Sequence, residues 1–211
     1  MSADPAEDPR FAELKALQSA RLWDTYRDFA EKPGYRATCD FFFGEVYHTE
    51  DTRRRDRAFE SFYANISRVL GGDIVRCMRQ VIDLQKLTVE LDLLCVRALI
   101  DLDIAPGFDM QAYERAYRHM GERDRRECQI RMLVENLFLT HKIFRRFGIG
   151  VGLHALHKFH RLRGDDQVTG FLWRGYQALH RLSSVRPLAE AVERREMERL
   201  QRIFEKGANR T

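Results

Sequence analysis

No two cysteines in this chain stand at Cys-x-x-Cys or other metal-site spacing. Cys39, Cys77, Cys95 and Cys128 are scattered singly, which argues against a disulfide framework or a zinc site and reads as free thiols in a reducing compartment. Proline is scarce, with five in 211 residues, so few elements are forced to break. Long apolar runs are missing as well. The longest stretch without a charged residue is Phe147 to His157, far short of the roughly 20 residues that a membrane-spanning helix requires. Met1 to Asp8 is acidic and carries no apolar stretch, so no signal peptide is expected. Strand-period alternation and Asn-Gly or Asp-Gly hairpin signals are absent, as are Gly-x-Ser-x-Gly and any Ser-His-Asp or Cys-His arrangement. The expectation is a cytoplasmic protein with no transmembrane segment, no β-sheet and no nucleophile signature.

What is present is helical. The chain is 44% hydrophobic and 32% charged, a globular composition. Phe59, Phe62, Tyr63, Ile66, Val69 and Leu70 recur at the i, i+3, i+4, i+7 spacing of an amphipathic helix that Thr49 would cap and Gly71-Gly72 would end. Ile130, Leu133, Val134, Leu137, Phe138, His141 and Phe144 form a second stripe, stopped by Gly148. Val168, Phe171, Leu172, Leu179 and Leu182 form a third, and Ser184 with Pro187 opens a last helix. Leu87 to Leu102 is apolar nearly all round and predicts a central helix, with Ile104-Ala105-Pro106-Gly107 as the interhelical turn after it. The fold expected is all-α: one helical-bundle domain over residues 1–211 with eight to nine helices, and tails at 1–8 and 207–211 that are disordered.

Charge is unevenly spread. Residues 1–105 hold 15 Lys/Arg against 19 Asp/Glu, whereas 106–211 hold 21 against 13. Between Glu135 and Asp165 there is no acid, but there are six cations (Lys142, Arg145, Arg146, Lys158, Arg161, Arg163) and four histidines. Interleaved with Phe144, Phe147, Phe159 and Leu162, that basic patch fits a solvated face or an anionic lipid or ligand better than nucleic acid, for which no reader motif stands out.

Two patterns invite a metal. Glu45 and His48 share the Glu-x-x-His spacing of carboxylate-bridged bundles, with Glu90 as a third candidate, yet no second such pair exists. His154, His157 and His160 recur every three residues and could share a face, though a histidine on an apolar face is more often structural. Gly148-Ile149-Gly150-Val151-Gly152 follows a helix instead of a strand, so it reads as a helix break, not a phosphate cradle. Asp83, Glu90, Asp92 and Asp101 do not share a face and are expected to pair with Arg76, Arg79 and Arg97.

Phe41-Phe42-Phe43-Gly44-Glu45-Val46-Tyr47 places three aromatics beside a lone carboxylate. With Asp51 and Arg55-Asp56 after it, the stretch resembles the signature of the bacterial proteins named for their FFLEELY motif, an uncharacterised group. Phe41, Phe42, Glu45 and Tyr47 match; Phe43, Gly44 and Val46 depart from it. The likeness continues loosely through Glu90-Leu91-Asp92, Gly152-Leu153, Phe171-Leu172, Gly175-Tyr176 and Arg195-Glu196. It implies a helical domain of bacterial origin and imports no activity. On an α-helical projection Phe42 and Val46 share one face, while Phe41, Glu45 and His48 share another. Glu45 would then be partly buried and paired with Arg54 or Arg55.

The function expected is non-enzymatic binding, with a lipid-like or anionic small molecule held between helices, or a protein partner or second copy of the chain. The alternative is a helical metal-binding protein using Glu45/His48 or the His154/His157/His160 series. No cofactor is named by these residues.

Overall fold

Asp8 and Pro9 set the first helix. The Asp8 carboxylate accepts from the Arg10 amide at 2.9 Å, and Pro9 at the first helical position needs no hydrogen-bond acceptor. A computed structural model describes residues 7–46, 59–64, 72–164 and 166–208, and the helices that follow are α1 (Pro9–Thr25), α2 (Arg27–Ala30) and α3 (Pro33–Cys39). α3 runs directly into a π-helical segment, α4 (Asp40–Val46). Next come α5 (Gly72–Asp101), α6 (Met110–His119), α7 (Arg123–Phe144), α8 (Ile149–Leu162), α9 (Gln167–Leu179) and α10 (Arg186–Ala208). Residues 59–64 are helical too, and no residue described is in a strand.

The all-α, single-domain expectation holds. α5, 30 residues and so roughly 45 Å long, is the predicted central helix and buries Leu91, Cys95, Val96 and Leu99. Asp103 takes a left-handed φ of 52° just past its end, and the Ile104 amide donates back to the Leu99 carbonyl at 2.9 Å. Asp109 caps α6 by accepting from Ala112 at 2.8 Å, and the Ser184 hydroxyl accepts from Arg186 at the start of α10. Gly148, at φ 83°, turns the chain from α7 into α8.

Some expectations shift. Gly72 is the first residue of α5. Asp8 caps α1, and α10 runs to Ala208. Thr49, Ile66, Val69 and Leu70 lie outside the described residues.

The core has three parts. One, centred on Leu22, Tyr26, Phe43, Leu137 and Val192, joins α1 and α4 to α7 and α10. A second, around Leu14, Val96, Leu99, Tyr113 and Ile203, joins α1, α5, α6 and α10. The third gathers Phe59, Met78 and Val168 with Phe171 packed against them. A cavity of about 930 Å³ runs among them.

Candidate functional site

The wall of that cavity is mostly apolar, with Phe41 and Phe42 of α4, Met78 of α5, Leu133 of α7, Leu156 of α8 and Phe171 of α9 among its residues. Its volume is in the range of small-molecule pockets. A second group lining the same cavity is polar: Lys15 and Gln18 of α1, Asp92 of α5 and Arg126 of α7 are buried, and Arg21 of α1 with Glu196 and Arg199 of α10 are half-buried.

Asp92 is 2% exposed and Arg126 4%. Gln18 Nε2 donates to Asp92 Oδ1 at 3.1 Å, while Arg126 Nη2 stands 3.8 Å from the same oxygen. Burial pushes the Asp92 carboxyl above the usual carboxylate range; Arg126, Gln18 and Lys15 oppose that shift. Arg126 donates to the Leu91 carbonyl at 3.2 Å and to Gln129 Oε1 at 3.0 Å, and its guanidinium lies 4.7 Å from the centre of the Tyr117 ring. Its Nε is buried with no hydrogen-bond partner. Beside it, Arg21 pairs with Glu196 at 2.8 Å, and the Tyr26 hydroxyl donates to the same carboxylate at 3.0 Å. Arg199 pairs with Glu114 at 3.5 Å. Among the described residues, Lys15, Arg21, Arg126 and Arg199 thus stand close to Asp92, Glu196 and Glu114 in a desolvated place. Two thiols also line the cavity. Burial pushes Cys39 up to about 11 and raises Cys77, so both stay protonated near neutrality and neither is an activated nucleophile.

The structure places the sequence candidates as follows. Phe41 is buried against Phe171, with ring centres 5.0 Å apart, and its ring abuts Gly175 so closely that an added Cβ there would stand 2.9 Å from it. Phe42 and Phe43 also line the cavity, and Phe43 packs on Trp23 and Tyr26. Because α4 is π-helical, its wider i→i+5 winding changes which residues share a face, and the α-helical projection of 41–47 does not apply. Glu45 is half-buried and accepts from Arg174 Nε at 2.7 and 3.0 Å, a partner 129 residues away on α9. Tyr47, His48, Asp51, Arg54, Arg55 and Asp56 lie outside the described residues.

Within the basic patch, Arg145 donates to the Ser183 carbonyl at 2.7 Å and Arg146 pairs with Asp73. Lys142, Lys158, Arg161 and Arg163 are exposed. The histidines go separate ways. His154 packs on Trp173, His160 packs against Phe62 and Phe159, and His157 abuts Gly170. His141 Nε2 stands 3.0 Å from the Leu182 carbonyl. Among the described residues no three His, Cys, Asp or Glu side chains come together as a metal site would require. The acids of α5 choose unexpected partners as well: Asp92 takes Arg126 and Glu90 takes Arg125, while Arg76 pairs with Asp73 and Arg79 donates to Tyr63.

The buried Gln18–Asp92–Arg126 cluster is what the sequence reading missed. One signal was available: Asp92 is a lone acid between Leu91 and Leu93-Leu94 on the central helix. Arg126 offered none, since it sits in the run Arg123-Asp124-Arg125-Arg126.

No curated protein and no solved structure matches the chain. One family model does, over residues 1–210, and by that match the chain belongs to DUF8198, a domain of unknown function.

Proposed function

We propose that this protein binds, without transforming, an amphiphilic anionic molecule between its helices, with the apolar part along α4, α5 and α9 and the acidic group toward Arg126. One observation carries the reading. A cavity of about 930 Å³ joins an apolar wall to a buried guanidinium whose Nε has no partner. A buried donor left unmatched costs about 1–3 kcal/mol, which an oxyanion would recover. The arrangement lacks an activated nucleophile and a convergent set of metal ligands among the described residues, and it suits retention better than catalysis. Within this reading the FFLEELY-like stretch contributes wall, through Phe41 and Phe42, and an outer latch, through Glu45 and Arg174. The bacterial origin that its resemblance implies and a cytoplasmic location are parts of the proposal, the latter supported by four free thiols.

The test is native mass spectrometry of untagged protein followed by titration of delipidated protein with a fluorescent long-chain fatty acid. A retained mass or saturable binding is expected. Arg126→Met together with Asp92→Asn should weaken the fatty acid at least tenfold while the helical circular dichroism is kept. A bare chain that takes up no fatty acid would end the proposal.

A further inference from the structure

α8 is apolar on two opposite sides. Its inner side sends Leu153 and Leu156, both half-buried, into the cavity wall. Its outer side carries Val151, Phe159 and Leu162, which are 77%, 50% and 82% exposed, and Phe147 in the preceding turn is fully exposed. No residue of this helix is buried. At about 100° per residue, Val151, Ala155, Lys158 and Leu162 fall within roughly 60° of one another, with Phe159 and Arg161 at the margins. Arg163 lies over the Phe159 ring, 4.4 Å from its centre, and Lys142 is exposed before the turn. Single exposed apolar side chains need no explanation, but four large ones on one helix and its lead-in turn do.

We infer that this outer face of α8 docks on an anionic lipid surface, with Phe147, Val151, Phe159 and Leu162 entering the headgroup region and Lys142, Lys158, Arg161 and Arg163 meeting lipid phosphates. Charge complementarity selects that occupant. The whole segment from 136 to 164 contains six cations and no acid. Two copies meeting through this face would oppose like charges, whereas an anionic bilayer offers the apolar depth and the negative potential together. Lys and Arg also suit the place because their stems lie along apolar surface while their heads reach the phosphates. The inference goes beyond the cavity reading and stands even if the cavity proves to hold nothing. If both are right, the helix touching the membrane is also a wall of the binding compartment.

Co-sedimentation of the full chain with phosphatidylcholine vesicles, with and without phosphatidylglycerol, tests this. The protein should sediment with the mixed vesicles at low salt and stay in solution with phosphatidylcholine alone. Binding should weaken as salt shortens the Debye length from about 10 Å at 0.1 M toward 3 Å at 1 M. The pair Phe147→Ser and Leu162→Ser should abolish it, and each of Lys158→Gln and Arg161→Gln should weaken it roughly fivefold. All four side chains are exposed, so folding should survive, and circular dichroism checks that it does. Failure of the wild type to sediment with the mixed vesicles overturns the inference. So does binding that the serine pair leaves unchanged. A dimer in sedimentation velocity that Leu162→Ser dissociates would also overturn it, by giving the face to a second copy.

Discussion

Asp92 shows how one residue is governed by what surrounds it. A carboxyl among Leu91, Val96 and Leu99 would be expelled from the core if alone, because desolvating an unpaired charge costs several kcal/mol. It stays because Gln18 donates to it and Arg126 lies near. Burial still outweighs those partners and leaves the carboxyl pKa raised. The folded state therefore holds this proton more tightly than the unfolded chain, so this group makes stability rise as pH falls through its raised pKa toward the unfolded value of about 3.9. Asp92→Asn should remove that rise, and urea unfolding of both proteins across the acid range measures it. A gap between them that does not change with pH would contradict the assignment. Arg126→Met alone should destabilise by about 3 kcal/mol at neutral pH by orphaning Asp92, and adding Asp92→Asn should restore most of it.

Among the elements, the α8–α9 contact depends on one missing side chain. A Cβ on Gly150 would fall 2.2 Å from the Tyr176 hydroxyl oxygen and 2.5 Å from its ring carbon. Tyr176 has little freedom to move, being stacked between Trp173 and His180 at 5.4 and 4.3 Å. Gly150→Ala should cost about 1–3 kcal/mol through forced displacement. Gly152, two residues along the same helix, has nothing within 4 Å of its Cβ position, so Gly152→Ala should stabilise by up to about 1 kcal/mol through helix propensity. Thermal unfolding of the two variants should shift in opposite directions, and a shared direction would mean that the helix contact is looser than described. Gly175 plays a similar part toward Phe41, where the α4 motif meets α9.

At the scale of the whole molecule, the two ends of the chain hold each other. Arg195 of α10 grips Asp28 of α2 with two bonds of 2.8 and 2.9 Å, donates to the Thr25 carbonyl at 2.7 Å, and lies over Tyr26 and Phe29. Its hydrogen bonds hold the Asp28 carboxyl below the usual carboxylate range. The resulting stability is present above the unfolded Asp pKa of about 3.9 and is lost as pH falls through the lower folded value. Because Asp28 is half exposed, Asp28→Asn should cost no more than about 1 kcal/mol near neutrality. That difference should shrink below pH 4, as read by urea unfolding, and a deficit that persisted in acid would point to lost packing instead.

The long helices α5, α7, α9 and α10 could be read directly from the residues. Stripes such as Ile130 to Phe144 repeat at helical spacing because a helix must cover one face, and Ser184 with Pro187 marks a helix start by the backbone groups they satisfy or do without. These are local rules, and sequence order alone determines their outcome. The charge-free stretch from Phe147 to His157 and the cations around it were legible for the same reason. Three-dimensional packing alone decided that Arg126 would be buried while Arg125 reached the surface, and that Gln18, Asp92 and Arg126 would meet across separations of 74 and 34 positions. It also decided that Glu45 would be held by Arg174. The π-helical winding of α4, which sets Phe41 on Phe171 and Phe43 on Trp23 and Tyr26, was decided there too. Residue type does not distinguish such outcomes, because burial and the dielectric it creates exist only once the helices have come together.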